Sequence, residues 1–417
     1  MQKENIQAII VNIGDELLIG QVVNTNATVI AEALHKTNIQ VKEVVTIGDD
    51  KNAILSLLQR VWEECHIVFI TGGLGTTNDD ITKACICEFF NSQLQERPEV
   101  LKHIEHLRKE RGLCLSDSVR TQAMLPECCQ VISNKHGLAP GMWIEKQNKL
   151  LLATPGVPSE LMGMLEEICQ KIKQKYQTWH KIDKHFKLMG ISESLLSDKL
   201  QDFERQLPTY IKLAYLPKMG IVNLRLSGSH ADKDLLEKEM NFFADKLKEA
   251  TQDYTFAFED TDLALLLGRL LREKGYTMAT AESCTGGLIA SQITAFAGAS
   301  DYFKGSIVAY SNETKYNVLH VDKQVLETQG AVSQEVVCLM AKNVLKLLNV
   351  DFSVAVSGIA GPSGGTPQKP VGTVWIAVAN KNECTAQCFH FGTHRKTVTE
   401  RTTQMALYML YRLIINQ

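Results

Sequence analysis

Short β-rich apolar runs alternate with amphipathic helical segments in two long blocks of this sequence, and this alternation limits the possible folds more than any other feature. The first block begins with IQAIIVNIG at Ile6, and the second begins near Thr255. Strands that alternate with helices predict βαβ units, in which helices cover both faces of a mainly parallel sheet. We therefore expect an α/β fold with two three-layer domains.

A polar stretch, KQKYQTWHKIDKH at residues 173–185, interrupts this pattern and is predicted to be a linker. The region behind it has a strand, a helix, a hairpin and a second helix, which predicts a small α+β domain. A chain of 417 residues is too long for one ordinary core. The predicted domains are residues 1–172, 178–254 and 258–417.

Charge and composition exclude several classes of protein. The net charge is −3, so no basic excess favours direct contact with nucleic acid or with an anionic membrane. The sequence shows neither a signal peptide nor a long apolar run, and we expect a cytoplasmic location with no membrane partner. The eleven cysteines are scattered without a CxxC pair, which is typical of reduced core thiols.

The most informative motif of the second block is AESCTGG at residues 281–287, at a predicted turn from strand to helix. Gly286 and Gly287 let the backbone approach a ligand, and a helix N-terminus offers unpaired N–H groups. A nucleophile at Ser283 would have its oxyanion donors in the same turn. The alternative is that Ser283 only caps a helix that begins at Cys284.

Two further segments follow predicted strands of the same block. VAYSNETK ends at Lys315, and a lysine can serve as a general base only where burial or charge lowers its pKa. The alternative is an ordinary exposed helix lysine. The glycine-rich segment at residues 357–375 suits the wrapping of a phosphate or a ribose by backbone N–H groups, or else is a surface loop.

Five motifs of the second block follow one another along the chain, namely AESCTGG, YSNETK, GAVS at 330–333, SGIAGPSGG and KPVGTVW. Their order and spacing are those of the CinA C-terminal domain, which residues 258–417 therefore resemble. The resemblance implies a nicotinamide mononucleotide deamidase, which releases ammonia and nicotinic acid mononucleotide without a metal or cofactor. It implies that Ser283 is the nucleophile and Lys315 its base. Tyr310 and Ser357 would assist in catalysis.

The same resemblance implies that Arg395 holds the substrate phosphate, with Arg401 as the weaker candidate. Cys284 is a rival nucleophile because a thiol is intrinsically reactive. The other predicted substrate-binding positions lie in the three motif segments and are Cys284, Thr285, Gly286, Gly287, Asn312, Gly358 and Gly361.

In the first block, TGGLGTTNDDITKA at residues 71–84 joins a strand, a glycine-rich turn and a helix. Glycines beside a helix N-terminus form an anion cradle. Asp79 and Asp80, which are predicted to lie in the first helical turn, suggest a divalent cation between carboxylate and phosphate oxygens. The alternative is that these acids only complement the helix dipole.

Four segments of the first block belong together, namely IGDELLIGQVVNTNA at 13–27, the glycine motif, GLAPGMW and PGVPSELMGML. In these segments the first block resembles the MoaB/MogA-like molybdopterin-binding domain at the N-terminus of CinA proteins. This resemblance implies a homodimeric protein with an ADP-ribose pyrophosphatase that uses a divalent metal, magnesium or cobalt. The implied metal residues are Asp80, Asp79, Asp15 and Glu16. The implied nucleotide-binding residues are Gly14, Asn24, Asn26, Gly72, Gly73, Gly75, Pro155 and Gly156.

Two alternatives to this combined enzyme are open from the sequence. The first block could be a non-catalytic module that binds a nucleotide or a pterin. The protein could also be an interaction factor in competence or in the DNA damage response, although its charge does not favour direct contact with DNA.

Overall fold

The computed structural model describes residues 4–77, 79–110, 112, 114 and 116–417. Two compact units contain residues 1–182 with 229–238, and residues 183–228 with 239–417. Among the described helices, none has both the length and the apolar character that a bilayer crossing requires.

A six-stranded sheet with the order β2-β1-β3-β8-β7-β6 forms the centre of the first unit. Strands β2, β1, β3 and β8 are parallel, and β7 and β6 are antiparallel. The strands of this unit, including the separate β4–β5 pair, are β1 (Gln7–Ile13), β2 (Gln40–Ile47), β3 (Ile67–Thr71), β4 (Leu94–Glu96), β5 (Met124–Pro126), β6 (Gln130–Ile132), β7 (Gly141–Lys146) and β8 (Lys149–Thr154).

Helices cover both faces of this sheet. Alternate residues of β1 belong to different cores, since Ile9 packs in one core and Ile10 in the other. The predicted three-layer α/β arrangement is therefore confirmed for this unit. The helices, apart from a short 3-10 turn at Thr121–Ala123, are α1 (Asp15–Leu18), α2 (Thr25–Lys36), α3 (Lys51–Glu64), α4 (Thr82–Phe90), α5 (Pro98–Glu110), α6 (Asp117–Arg120) and α7 (Pro158–Lys175).

The middle region forms a small α+β fold with a four-stranded sheet of order β10-β11-β9-β12. Its elements are β9 (His180–Met189), α8 (Glu193–Arg205), β10 (Ile211–Lys218), β11 (Ile221–His230), α9 (Lys233–Thr251) and β12 (Thr255–Ala257). The predicted linker at 173–185 is wrong, because α7 continues to Lys175 and β9 begins at His180. β9 lies beside β11 and pairs with β12 only at Lys187 and Leu188, and its polar residues from His180 to His185 are half-buried.

The C-terminal region contains a five-stranded sheet of order β14-β13-β15-β16-β17, in which β14, β13 and β15 are parallel. Val354 and Ala355, neighbours on β15, pack in cores on opposite faces. The elements, with a 3-10 turn at Ala299–Asp301, are α10 (Leu263–Lys274), β13 (Met278–Glu282), α11 (Leu288–Thr294), β14 (Phe303–Val308), α12 (Asn312–Asn317), α13 (Lys323–Gln329), α14 (Gln334–Leu347), β15 (Phe352–Gly358), β16 (Thr373–Asn380), β17 (Cys384–His390) and α15 (Arg395–Ile415).

Candidate active sites

Ser283 lies directly after β13, at the carboxyl edge of the C-terminal sheet, where parallel strands of open α/β sheets present their ligand-binding loops. Its N–H donates to the Val356 carbonyl oxygen at 3.1 Å, which ties the turn to β15. The prediction that a helix begins at Cys284 is wrong. Because Gly286 and Gly287 have φ of 62° and 99°, the chain makes a turn first, and α11 begins at Leu288. Ser283 is therefore not the N-cap of this helix.

Lys315 lies in the interior beside Ser283. Its side chain is 1% exposed, and its Nζ lies 3.0 Å from Ser283 Oγ and 2.8 Å from the Ala309 carbonyl oxygen. The Ser311 side chain caps α12, and Lys315 follows one turn later. Burial lowers the pKa of the Lys315 amine to about 8. Lys315 is thus not an ordinary exposed helix lysine.

Cys284, the rival nucleophile, is also buried. Burial raises the pKa of its thiol to about 12, so the thiol remains protonated near neutral pH. A thiol reacts as a nucleophile through its thiolate. The geometry therefore favours the Ser283 hydroxyl, which has an amine in contact, over the adjacent cysteine.

The side-chain oxygens of Glu282 bind two donors of this turn and two of the first N–H groups of α11. The carboxylate accepts hydrogen bonds from the Thr285 hydroxyl at 2.7 Å and from the backbone N–H groups of Gly287, Ile289 and Ala290 at 3.0, 3.1 and 2.9 Å. We did not predict a role for Glu282 from the sequence. The available signal was a charged residue at the end of the apolar strand MATAE.

These contacts reduce the number of backbone amides that could donate to an oxyanion. The Gly287 N–H is bound to Glu282, and the Gly286 N–H donates to the Ser283 carbonyl oxygen at 3.1 Å. Within the part of the chain that the structure describes, the N–H groups of Cys284 and Thr285 donate to no backbone carbonyl, and the Cys284 N–H contacts only the thiol of its own residue. Of the four amides between Cys284 and Gly287, those of Cys284 and Thr285 are therefore the ones not bound to another described residue.

Arg395 lies at the start of α15 and reaches two of the predicted segments. Its guanidinium donates to the Gly361 carbonyl oxygen at 2.9 Å and to the Tyr310 hydroxyl at 2.6 Å. The Ser357 hydroxyl donates to the Ala331 carbonyl oxygen at 2.7 Å. The hydroxyl groups of Tyr310 and Ser357 thus bind partners other than the Ser283–Lys315 pair.

The remaining predicted C-terminal residues occupy different places. Asn312 is the exposed first residue of α12, and Gly358 ends β15. A Cβ on Gly358 would lie 2.9 Å from the Thr373 carbonyl oxygen, so this glycine is needed for strand packing. Arg401 is exposed on α15 and lies near Gly220, in the turn between β10 and β11. Arg395, not Arg401, contacts the glycine-rich loop.

A cavity of about 660 Å³ lies at the carboxyl ends of β1 and β3 in the first unit. Of the predicted N-terminal site residues, all except Asp15 line this cavity. The predicted residues that line it are Gly14, Glu16, Asn24, Asn26, Gly72, Gly73, Gly75, Asp79, Asp80, Pro155 and Gly156.

Asp79 and Asp80 do not lie in the first turn of the following helix, which is a correction to the sequence-based prediction. Helix α4 begins at Thr82, and the Asp80 carboxylate accepts from the N–H of Gly75 at 2.6 Å and of Thr77 at 2.9 Å. The Thr77 hydroxyl also binds Asp80. Because Asp80 closes the glycine-rich loop on itself, the residues before Thr82 are not helical.

Asp15 is not among the described residues that line the cavity, and it is hydrogen-bonded to Asp49, an acid that we did not predict. The Asp15 N–H donates to the Asp49 carboxylate at 3.2 Å, and the Asp49 N–H donates to the Asp15 carboxylate at 3.3 Å. Burial, with the nearby carboxylates of Asp15, Glu16 and Asp79, raises the pKa of Asp49. The signal for Asp49 was its position after strand β2, in the sequence TIGDD.

Three buried amide side chains in the described cavity wall, those of Asn12, Asn26 and Gln122, present their carbonyl oxygens without a partner. Asn12 donates through Nδ2 to the Val45 carbonyl oxygen at 3.0 Å. Asn26 donates through Nδ2 to the Gly156 carbonyl oxygen at 2.7 Å, and Gln122 donates through Nε2 to the Gly75 carbonyl oxygen. A backbone carbonyl only accepts, so each NH₂ group must face it. Asn12 Oδ1, Asn26 Oδ1 and Gln122 Oε1 are left as unpaired acceptors.

The described lining of this cavity contains carboxylates and no Lys, Arg or His side chain. The acids are Glu16, Asp49, Asp79, Asp80 and Glu160. Such an oxygen-only set suits a hard divalent cation chemically. Among the described residues, however, no three His, Cys, Asp or Glu side chains converge on one point, so the protein alone does not form a metal cage.

Comparison with known proteins agrees with this three-part architecture. The profile of the CinA C-terminal domain matches residues 260–414, that of the "Probable molybdopterin binding domain" matches residues 9–174, and that of the "Damage-inducible protein CinA KH domain" matches residues 183–257. The middle region is therefore similar to a KH domain, which we did not predict.

Full-length relatives show the same similarity. A CinA-like protein of Flavobacterium psychrophilum is 41% identical over 98% of this chain and 99% of its own length. A CinA-like protein of Cytophaga hutchinsonii is 40% identical over 98% of both chains. The crystal structure of a competence damage-inducible protein A from Klebsiella pneumoniae covers 36% of this chain and 93% of its own, with 35% identity and a TM-score of 0.35. The chain belongs to the CinA family.

Proposed function

We propose that the C-terminal domain hydrolyses the carboxamide of nicotinamide mononucleotide to nicotinic acid mononucleotide and ammonia. The observation that carries this proposal is the contact of 3.0 Å between Lys315 Nζ and Ser283 Oγ, in a buried setting that lowers the pKa of the amine. A serine paired with a lysine can replace the more common serine–histidine pair.

The proposed reaction is acyl transfer. The neutral Lys315 amine takes the Ser283 hydroxyl proton while Oγ attacks the carboxamide carbon, which forms a tetrahedral intermediate. In this proposal the N–H groups of Cys284 and Thr285, which donate to no backbone carbonyl, donate to the oxyanion. Lys315 then returns the proton to the leaving nitrogen as ammonia departs, and water hydrolyses the acyl-serine ester by the same base.

Substrate binding in this proposal depends on the Arg395 region. The guanidinium is a planar donor that can pair with two phosphate oxygens. It already joins the glycine-rich loop at Gly361 to the Tyr310 side chain, so a phosphate held there connects both segments. The proposed reaction requires only the Ser283 hydroxyl, the Lys315 amine and the amides of the turn, so we propose that the domain uses no metal or cofactor.

The experiment is a measurement of ammonia release from nicotinamide mononucleotide by the purified full-length protein. Ser283→Ala should reduce the rate by at least about 10³-fold, since nucleophile and base act as a unit. Cys284→Ala is the matched control and should retain most activity. If the wild-type protein releases no ammonia, the proposal is wrong. If Cys284→Ala loses activity and Ser283→Ala keeps it, the nucleophile is Cys284.

For the N-terminal domain we propose cleavage of ADP-ribose at its diphosphate, with magnesium or cobalt. The observation that favours it is a cavity that joins a glycine-rich turn with an all-acid set of ionisable groups. Five carboxylates and no basic group repel a free diphosphate, so a cation must accompany it. Glu16, Asp49, Asp79 and Asp80 are the residues that would hold the cation, which would neutralise phosphate charge.

The alternatives to this second proposal have separate outcomes. Binding of ADP-ribose without formation of AMP would favour a non-catalytic nucleotide or pterin module. A role as an interaction factor in competence or DNA damage predicts neither reaction. We also propose a cytoplasmic homodimer, as the family resemblance implies, and analytical ultracentrifugation of the full chain tests the dimer.

A further inference from the structure

We propose that Glu282 is a positioning residue for the nucleophile. Its buried carboxylate holds the turn that carries Ser283 and binds the Gly287 N–H, while the Cys284 and Thr285 amides face the substrate in the proposed reaction. This inference rests on the proposed serine–lysine chemistry and adds a residue to that site. Glu282 is 0% exposed although it carries a carboxyl group, which requires compensating hydrogen bonds.

The Glu282 side chain uses both carboxylate oxygens. Oε2 accepts from the Thr285 hydroxyl and from the N–H groups of Gly287 and Ile289, and Oε1 accepts from the Ala290 N–H at 2.9 Å. The Ser306 hydroxyl on β14 adds a longer contact of 3.3 Å to Oε1. The carboxylate thus binds the first N–H groups of α11 from within the domain.

The backbone of Glu282 contacts the other half of the site. Its carbonyl oxygen accepts from the Ala309 N–H at 2.7 Å, and the Ala309 carbonyl oxygen accepts from Lys315 Nζ at 2.8 Å. One residue therefore connects the turn that follows Ser283 with the segment that orients the base. A shift of the turn moves the hydroxyl relative to the amine, and near-attack geometry is sensitive to such displacements.

Glu282→Gln is the informative variant, because it keeps the size of the side chain. Both carboxylate oxygens accept from backbone N–H groups, so either orientation of the glutamine amide places its NH₂ group against an N–H donor. We expect kcat for ammonia release to fall about 100-fold with KM within about twofold of the wild-type value. The rate at which a fluorophosphonate labels Ser283 should fall in parallel.

The matched control is Asp351→Ala. Asp351 also accepts from a backbone N–H and a threonine hydroxyl, both of Thr277, but it lies at the amino end of the same sheet. This variant should lose thermal stability and keep kcat. If Glu282→Gln loses stability as Asp351→Ala does and keeps kcat, Glu282 is only a helix cap and the inference is wrong.

Two further measurements complete the test. If Glu282→Gln does not fold, Thr285→Val removes one donor at nearly constant shape and keeps the Thr285 backbone amide. It should lower kcat about tenfold, and an unchanged kcat would overturn the inference. If the wild-type protein releases no ammonia, the inference is tested only by the rates at which the fluorophosphonate labels Ser283 in the wild type and in Glu282→Gln. Slower labelling of Glu282→Gln supports the inference although the proposed substrate is wrong, and equal labelling contradicts it.

Discussion

At the scale of single residues, the side chain with the largest chemical consequence is Lys315. The interior of the C-terminal domain disfavours its charged form, and two hydrogen-bond acceptors, Ser283 Oγ and the Ala309 carbonyl oxygen, hold its Nζ in place. A lysine with an ordinary pKa would be almost wholly protonated at neutral pH and could not accept the serine proton. Burial thus converts a common surface residue into a candidate base.

The pH dependence of ammonia release follows from this shift. Because the neutral amine is the reactive form and its pKa is lowered to about 8, kcat/KM should rise with pH below this value and level off above it. The measurement is a pH series of initial rates at low nicotinamide mononucleotide concentration. A rate that does not change as the pH passes through 8 would contradict the role of Lys315.

The same lowered pKa of Lys315 also makes the free energy of unfolding depend on pH. The unfolded chain binds the Lys315 proton up to a pKa near 10.5, whereas the folded protein loses it near 8, so the wild type gains stability as the pH rises between these values. Relative to Lys315→Met, the gain should be up to roughly 3 kcal/mol. Urea unfolding of both proteins at a series of pH values measures it, and a constant difference would show that the amine is not perturbed.

At the scale of elements, the ends of strands carry both candidate sites. The glycine-rich turn after β3 approaches the end of β1 so closely that a Cβ on Gly72, at φ 105°, would collide with the Ile13 carbonyl oxygen. The turn after β13 uses Gly286 and Gly287 in the same left-handed region. In each case glycine allows the chain to reverse against a neighbouring backbone before a helix begins.

A pair of glycine substitutions separates backbone strain from steric collision. Gly20 also has a positive φ, of 71°, but no atom lies within 4 Å of a Cβ built there. Gly20→Ala should therefore cost about 1 kcal/mol, and Gly72→Ala about 2–4 kcal/mol. Hydrogen exchange of β1 and β3 amides in urea measures the N-terminal domain alone. Equal costs would show that Gly72 is not required for close approach.

The two α/β regions were largely predictable at this scale because their apolar periodicity is strong. Helix α14 begins after Ser333, which accepts from the Val336 N–H, and Glu335 lies in the first turn, an arrangement typical of a helix start. The errors lie where polar residues have local partners that a pattern does not reveal. Asp80 binds the loop before α4, and the polar start of β9 is paired within a sheet.

At the scale of the whole molecule, the chain carries two candidate sites of different chemistry in two separate units. One site depends on an amine and a hydroxyl that are buried together. The other is a wall of carboxylates and amide oxygens, whose described part has no basic side chain. The two sites should therefore respond differently to removal of divalent cations.

Chelation tests this division directly. EDTA should stop the release of AMP from ADP-ribose, because the carboxylate wall cannot hold a diphosphate without a cation, and it should leave ammonia release unchanged. Asp80→Asn should lower AMP release about 100-fold and spare deamidation. Product chromatography measures both reactions in one sample. If EDTA affects both reactions alike, the assignment of one metal-dependent and one metal-free site is wrong.

The sequence by itself determined the α/β class and the alternation of strands and helices in the two α/β regions, and it indicated the candidate segments, since these depend on local periodicity and on motifs at strand ends. It could not determine that Glu282 occupies the helix N-terminus, that Asp49 joins the acids of the cavity, or that Lys315 is buried. Those properties depend on which distant groups meet. Only the tertiary structure brings β13, β14 and β15 side by side, and the burial that results sets the pKa of the lysine.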